Sequence, residues 1–379
     1  MSVFDRISAG ISAARNELPL PRSAPQSDEY HLTAAIKWLC HTQDATTNGG
    51  SAASYNLVLG WEDAYPETTG YIIPTLFEFS STRGVSEITD RAIRMADWLC
   101  TVQHSSGYFP AGTGRQGDPS VFNTGQIVFG LVSAYQETGD KRYKLATKEA
   151  CNWLIDQQTH KGYWDNYDYN DEVHSYSTRI AWALLEGATI VPERAEVFRE
   201  AARRNYRWAI QLQRANGWFD KSGFEAGSTP YLHTIAYTVR GLLEGGIALE
   251  EREMLDAATH TADKLLSIQQ SNGVLKGAYD SSWSPAWYYC LTGNAQMAVI
   301  WLHLFERTGE VKYLRTARET LDFLKERQVL NGPAGVRGGL AGSYPLFGPY
   351  MFFRFPNWAT KFFVDALLLS ERHDTDGVS

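Results

Sequence analysis

The chain has 379 residues, of which 44% are hydrophobic and 21% are charged, and its formal net charge is −8. This acidic balance, without a run of lysine and arginine, argues against nucleic acid as a partner. No window is long and apolar enough to span a bilayer, and residues 1–18 lack the apolar core of a signal peptide, so we expect a cytoplasmic protein.

A repeat follows an N-terminal extension of residues 1–28 and then runs almost to the end of the chain. Six amphipathic segments each end in a glutamine, and successive glutamines are 60, 55, 55, 57 and 58 residues apart. These glutamines are Gln43, Gln103, Gln158, Gln213, Gln270 and Gln328. Self-similarity at a long fixed period predicts a repeat architecture, and because no linker interrupts it we expect one domain over residues 1–379.

Residues 141–185 illustrate one repeat. Apolar side chains recur at helical spacing from Lys141 to Gln158, which predicts an outer helix with one buried face. After a polar and aromatic loop, residues 180–185 are almost continuously apolar, which predicts an inner helix packed on every side. Six such units closing into a ring predict an all-α (α/α)6 barrel, with inner helices over residues 70–79, 125–135, 178–185, 234–243, 295–305 and 359–369.

The connections differ in length on the two ends of this barrel. Links from inner to outer helices are short, as at Thr138-Gly139-Asp140, where glycine can end one helix and an acidic residue can begin the next. Links from outer to inner helices are long and all emerge at one end. Long loops in a compact domain are usually functional, so we expect a pocket at the N-terminal ends of the inner helices.

Histidine, tyrosine, arginine and asparagine side chains near these helix starts suit proton abstraction beside a sugar carboxylate. Arginine or asparagine would neutralise the carboxylate and acidify the C5 hydrogen, while histidine or tyrosine would move the proton. We expect His174 and His233 as base and acid, with Tyr237 as an alternative, and Asn123 as a neutralising group. Arg179 and Arg240 are the expected carboxylate clamps, although Tyr237 and Arg240 could equally be buried structural groups.

Carboxylates on the same loops offer a rival mechanism. Two of them held apart across a sugar would make an inverting glycoside hydrolase. Glu67 stands at a helix start in Tyr65-Pro66-Glu67, and Asp168 lies in a tyrosine-rich loop, so these two are the preferred pair. A capping role for Glu67 and a solvated surface position for Asp168 are the structural alternatives.

Sugar rings stack on aromatic side chains, and the loops are rich in them. Some of these tryptophans follow a repeat glycine and are expected to pack on neighbouring helices, whereas others break the repeat. The residues expected to contact substrate are Trp61, Tyr176, Trp283, Trp287, Asn294, Tyr344, Asn357, Trp358 and Lys361.

The pattern of an outer helix ending in glutamine, then Gly-Tyr-Trp or Gly-Trp-Phe, then a buried helix resembles the α/α toroids over residues 30–370. One branch contains six-hairpin carbohydrate-active enzymes, and another contains terpenoid cyclases and prenyltransferases. The Asp-x-Asp-Asp motif of terpenoid cyclases is absent, and the nearest acidic stretch is residues 165–171. The resemblance implies the fold firmly and the reaction only weakly.

We therefore expect an enzyme that acts on a uronate-containing oligo- or polysaccharide by C5 proton abstraction, as a lyase or an epimerase. A glycoside hydrolase is the alternative, and a terpenoid cyclase-like protein or a non-catalytic glycan-binding scaffold is the second alternative. Neither a metal nor an organic cofactor is expected, since the four cysteines have no ligand motif. The sequence does not fix the oligomeric state, the sugar or its linkage.

Overall fold

The computed structural model describes residues 3–15, 26–114 and 116–373. After a first helix, α1 (Val3–Arg15), twelve long helices alternate between an outer and an inner layer in the part of the chain described. The outer helices are α2 (Asp28–Asp44), α4 (Ser86–Val102), α6 (Lys141–Gln157), α8 (Ala195–Ile210), α10 (Arg252–Asn272) and α12 (Val311–Lys325). The inner helices are α3 (Pro66–Arg83), α5 (Val121–Thr138), α7 (Thr178–Ile190), α9 (Leu232–Leu249), α11 (Leu291–Thr308) and α13 (Asn357–Glu371).

The inner helices form a closed ring, because each packs on the next and α13 packs on α3. Small residues permit the closest approaches. A Cβ atom on Gly70 of α3 would lie 2.5 Å from the Cα atom of Ile127, and one on Gly130 of α5 would lie 2.3 Å from the Gly70 carbonyl oxygen. The predicted (α/α)6 barrel is confirmed, and the six predicted inner segments all lie within these helices.

The helix pairs are assembled differently from the predicted order of outer helix, loop and inner helix. Among the outer helices, each inner helix packs most extensively on the one that follows it, across a short turn. At one such turn Gly139 adopts a left-handed conformation and ends α5, and the Asp140 carboxylate accepts from the amide of Arg142 at the start of α6. The sixth pair joins α13 to α2, so the two ends of the barrel sequence close the ring.

The repeated glutamines hold neighbouring outer helices together. The Gln103 side-chain amide donates to the carbonyl oxygen of Gly107 in its own loop and to that of Ala146 in α6. Gln158 repeats this arrangement with Gly162 and Ala201, and Gln328 repeats it with Gly338 and His31. The periodic glutamine is therefore a structural group that links each repeat to the next.

The fifth repeat corrects one sequence assignment. The buried glutamine Gln269 has an amide that donates to the Thr316 carbonyl and to the Thr320 hydroxyl in α12, as the other repeat glutamines donate to the next outer helix. The side chain of the predicted Gln270 lies outside the described part of the structure. With Gln269 as the repeat glutamine, the interval from Gln213 is 56 residues and the interval to Gln328 is 59.

The long loops carry short antiparallel strands. The strands are β1 (Ser54–Asn56), β2 (Gly60–Trp61), β3 (Phe109–Pro110), β4 (Pro119–Ser120), β5 (Tyr289–Cys290), β6 (Ser343–Tyr344) and β7 (Arg354–Pro356). They form one three-stranded sheet in the order β2-β1-β7 and two strand pairs, β3-β4 and β5-β6. The three-stranded sheet joins the first long loop to the last one. The long loops therefore form a continuous circle, as the inner helices do.

The first helix lies against the barrel, since the Arg6 guanidinium donates to the carbonyl oxygen of Val58 and Ser12 lies beside Gly332. None of the described helices is sufficiently long and apolar to cross a membrane.

Candidate functional site

Seven aromatic side chains encircle the loop end of the barrel axis. Successive contacts join Tyr65 to Trp358, Trp358 to Tyr350, Tyr350 to Tyr231, Tyr231 to Phe224, Phe224 to Tyr176 and Tyr176 to Phe122. The centroid distances run from 5.0 to 6.4 Å, and the Trp358 indole donates to the Tyr350 hydroxyl at 2.7 Å. We call these seven residues the aromatic rim. Tyr65, Phe122, Phe224, Tyr231 and Trp358 are partly exposed, whereas Tyr176 and Tyr350 are buried.

Glu67 lies beneath the rim in the first turn of α3, where Pro66 occupies the first helical position. Its side chain is 8% exposed. Burial raises the pKa of Glu67 to about 7, against the opposing effects of a hydrogen bond from Tyr65 and the positive charge of Arg179. A carboxyl with a pKa near neutrality can both give and take a proton at physiological pH.

His233 lies beside the rim, in contact with Phe224, Tyr237 and Tyr350 at centroid distances of 5.6, 4.9 and 5.1 Å. Both ring nitrogens are buried and have no hydrogen-bond partner among the described residues. Burial, aided by the charge of Arg179, lowers the pKa of His233 to about 3. The ring is therefore neutral at physiological pH, which makes it unsuited to the role of general acid and leaves it free to bind a polar ligand group.

A second buried carboxylate lies on the other side of Tyr176. Asp168 accepts hydrogen bonds from the Ser177 hydroxyl and the Tyr169 amide, and burial raises its pKa although nearby His174 acts in the opposite sense. His174 stacks on Tyr176 at 4.5 Å and 9°. A cleft of about 650 Å³ opens beside His174 between the loops that precede α7, α9 and α11.

Burial raises the pKa of Tyr176 well above its usual value, and Asp168 and then Glu67 add to the effect. The phenol is thus within electrostatic reach of both carboxylates.

Arg179 and Tyr237 form the layer below. The Arg179 Nε donates to the Gln126 side chain at 2.8 Å, and the guanidinium lies 4.6 Å from the centroid of the Tyr237 ring. Arg179 is 3% exposed and its charge reaches both Glu67 and His233, because it lowers the pKa of each. Glu67, His233, Tyr237 and Arg179 therefore share one polar interior beneath the rim.

Comparison with known proteins identifies this architecture. A family model described as the squalene-hopene cyclase C-terminal domain matches residues 61–249, just under half of the chain. The chain is a six-hairpin α/α toroid. No match is found among curated proteins.

Solved structures of the same fold cover nearly the whole toroid. An unsaturated glucuronyl hydrolase specific for heparin superposes with a TM-score of 0.72 at 16% identity, covering 92% of this chain and 99% of that one. A sugar epimerase from a ruminal bacterium gives 0.68 at 14% identity, covering 93% and 98%. The cellobiose 2-epimerase from Bacillus thermoamylovorans gives 0.69 at 12% identity, covering 91% and 98%. At these identities the likeness establishes the fold alone.

The toroid uses three of the predicted polar groups to anchor loops. The side-chain amide of Asn123 donates to the Pro110 carbonyl, and that of Asn294 donates to the carbonyls of Leu275 and Cys290. The amide of Asn357 donates to the Ala52 carbonyl and to two hydroxyls. Each asparagine thus fixes a long loop to the start of an inner helix. The neutralising role expected of Asn123 and the substrate contacts expected of Asn294 and Asn357 stay predictions.

Two predicted polar residues lie deeper along the barrel axis than the rim. Arg240 pairs with Glu244 at 2.6 Å, and Lys361 pairs with Asp365 at 2.5 Å. Both cations line a cavity between the inner helices. Arg240 is seven residues after His233 and Lys361 is four residues after Asn357, so helical rise places each about one to two turns further from the loop end.

Four predicted aromatic residues lie outside the rim. Trp61 packs on Trp38 and Tyr55, Trp283 is buried against Trp218, and Tyr344 packs on Tyr289. Trp287 is 58% exposed and stacks on Phe347. By contrast Tyr176 and Trp358 belong to the rim, and substrate contact by either stays a prediction.

Five of the seven rim residues were not among the predicted site residues: Tyr65, Phe122, Phe224, Tyr231 and Tyr350. Tyr65 immediately precedes Pro66-Glu67, and its position at a helix start next to a candidate acid was a usable signal. Tyr350 lies in the irregular Gly-Pro-Tyr segment of the last loop, where no periodicity indicates which way a side chain points.

Proposed function

We propose that this toroid is an enzyme that acts on a carbohydrate, with Glu67 as the group that transfers a proton. The observation that carries the proposal is the position of a buried carboxyl of near-neutral pKa directly beneath a partly exposed ring of aromatic side chains. Aromatic faces bind the apolar faces of sugar rings, while the polar interior supplies the chemistry. The solved structures named above, a glucuronyl hydrolase and two epimerases that act on sugars, lend support from the same fold.

The reaction we favour is abstraction of the C5 proton of a uronate, followed by elimination or by return of the proton on the other face. The ionised form of Glu67 would take the proton and, once protonated, could give it to the departing glycosidic oxygen in an elimination. Epimerisation would need a second proton donor on the opposite face of the ring, and the Tyr237 hydroxyl in the same polar interior would be that donor. Arg179 is a buried cation within electrostatic reach of Glu67, and it would stabilise the negative charge that develops on the uronate. His233 is neutral and unpartnered, so it is available to hold a hydroxyl or carboxylate oxygen.

A glycoside hydrolase is the second candidate, and one observation favours it. Glu67 and Asp168 are both buried, both have raised pKa values, and the charge of each raises the pKa of Tyr176. An inverting hydrolase needs one protonated and one ionised carboxyl on opposite sides of the scissile bond. Asp168, with His174 beside it and a cleft nearby, would then be the partner of Glu67.

A terpenoid cyclase is disfavoured despite the match to a cyclase family model. Carbocation chemistry calls for a lumen walled by apolar and aromatic groups. Here the lumen contains the charged side chains of Glu67, Arg179, Arg240 and Lys361.

The test is an assay of the full chain on a panel of uronate-containing and neutral oligosaccharides, with three products followed in parallel. A lyase would generate ultraviolet absorbance from an unsaturated uronate, an epimerase would exchange the C5 hydrogen in deuterated water, and a hydrolase would release reducing ends alone. We expect one of the first two signals. Binding without any of the three signals across the panel would indicate a glycan-binding scaffold and would refute the proposed enzyme.

A further inference from the structure

The toroid has a second opening that the proposed reaction does not use. From the end where short turns join inner to outer helices, a cavity of about 290 Å³ runs inwards between the inner helices as far as Arg179 in the first turn of α7. We call it the turn-end cavity. Its wall includes the aromatic side chains of Tyr71, Phe129 and Trp182, together with several charged groups.

Arg179 forms the inner limit of this cavity. Its Nε is bonded to Gln126, but its two terminal nitrogens donate to no described residue and no described carboxylate pairs with it. The guanidinium is instead surrounded by the rings of Phe129, Trp182, Tyr237 and Phe362, with its central carbon 4.6 to 5.8 Å from their centroids. A buried arginine normally makes charge-assisted hydrogen bonds, so this one has unused donors facing an open space.

Positive charge is in excess around Arg179. Arg240 and Lys361 are close enough to influence it, and each has one carboxylate partner, Glu244 and Asp365 respectively. Burial lowers the pKa of Lys361, and the charges of Arg179 and Arg240 add to this effect. Three cations therefore face two carboxylates at the inner end of the cavity.

Nearer the opening of the cavity, the positive and negative charges in its wall are more nearly equal. Glu78 pairs with Arg372, and the Trp182 indole donates to Glu186, whose pKa is raised by burial. Burial also lowers the pKa of His303, so its ring adds little positive charge at neutral pH. The unmatched charge thus belongs to Arg179, at the inner end.

We propose that the turn-end cavity binds the oxyanion of a small ligand, a carboxylate or a phosphate, with Arg179 as its bidentate partner. The planar fork of a guanidinium matches both groups. The volume admits a ligand the size of a single sugar or a comparable metabolite, and Trp182 and Phe129 offer faces against which its body can pack. The cavity opens away from the aromatic rim and shares Arg179 with the proposed reaction, and an anion can bind there whether or not that reaction is correct.

Isothermal titration calorimetry on the full chain tests this proposal with inorganic phosphate, glucuronate and, as the neutral comparison, glucose. We expect at least one of the anions to bind and glucose not to bind at this site. Binding of phosphate alone or of glucuronate alone would identify which oxyanion the cavity accepts. Absence of binding by both anions would overturn the proposal.

Three variants locate the binding. Arg179→Gln should weaken anion binding at least tenfold, and Ser133→Trp, which fills the cavity from α5 without removing Arg179, should do the same if Arg179→Gln does not fold. Trp358→Ala alters only the aromatic rim and should leave the affinity unchanged. Affinity that survives both cavity variants, or that is lost in Trp358→Ala, would place the anion elsewhere and contradict the proposal.

Discussion

The side-chain amide of Gln328 donates to the backbone carbonyl of His31, 297 residues earlier in the chain, at 3.0 Å. The same amide donates to Gly338, and the Gln328 oxygen lies 2.6 Å from the His31 ring. These contacts complete the circle of glutamines and connect the last outer helix to the first. Near them, the Lys325 ammonium pairs with Asp28 at 2.6 Å.

Removing this closure should destabilise the whole toroid. Gln328→Ala leaves two carbonyl groups without their donor, and Gln328 is 3% exposed, so we expect a loss of about 2–4 kcal/mol in the free energy of unfolding. Thermal or urea unfolding measures it. Gln136→Ala, an exposed glutamine on α5, is the matched control. Equal midpoints for the two variants would mean that the glutamine circle does not hold the ring together.

Glu67 should make stability depend on pH. Its folded pKa is raised from 4.5 to about 7, so its contribution to stability is full below pH 4.5 and is lost as the pH rises through 7. Glu67→Gln remains neutral throughout, so its free energy of unfolding relative to wild type should increase between pH 5 and pH 8, by roughly 1–3 kcal/mol. Urea unfolding at both pH values measures the change, with Glu62→Gln as the control for the chemical substitution. A constant difference across this range would show that Glu67 does not titrate there.

Tyr65 should tune the proton transfer without itself reacting. Its hydrogen bond favours the ionised form of Glu67, so Tyr65→Phe should move the Glu67 inflection in the pH–rate profile to higher pH. The control is Tyr206→Phe, which removes a buried hydroxyl that has no hydrogen-bond partner among the described residues. A lower rate with the inflection of the pH–rate profile at an unchanged pH would indicate that Tyr65 serves only to support the rim.

Asp168 separates the two candidate reactions. If the enzyme is a hydrolase with a carboxylate pair, Asp168→Asn should reduce kcat by about 10²- to 10⁴-fold. If the reaction is C5 proton abstraction at Glu67, the variant should stay within roughly tenfold of wild type, because that mechanism gives Asp168 no proton to transfer. Steady-state rates decide between them, and Asp171→Asn in the same loop, an exposed position, is the comparison.

The fold could be predicted because its determinants are periodic. The spacing of Gln103, Gln158 and Gln213 reflects one structural requirement, a glutamine that bonds to the next outer helix, and the apolar inner segments reflect burial on every side. In the fifth repeat the sequence has two adjacent glutamines, Gln269 and Gln270, and the prediction took Gln270. Packing decides which of two adjacent side chains faces the next outer helix, and the repeat pattern does not contain that information.

The candidate site was harder to predict because its members come from non-periodic loops. Glu67 could be singled out from its helix-start position, and His233 from its place on an inner helix. The roles of Asn123 and Asn357 could not, because a polar side chain at a helix start serves equally well to anchor a loop. Helical rise places Arg240 and Lys361 deeper along the axis than the starts of their helices. Sequence spacing contains this rise, but the prediction grouped both residues with the polar side chains near the helix starts.

The central claim is that Glu67 transfers the proton, and the most direct test is turnover of a uronate oligosaccharide in deuterated water followed by NMR. Wild type and Glu62→Gln should eliminate or exchange the C5 hydrogen, while Glu67→Gln should lose at least about 100-fold in rate and still bind the sugar. Comparable rates in Glu67→Gln and wild type would contradict the account.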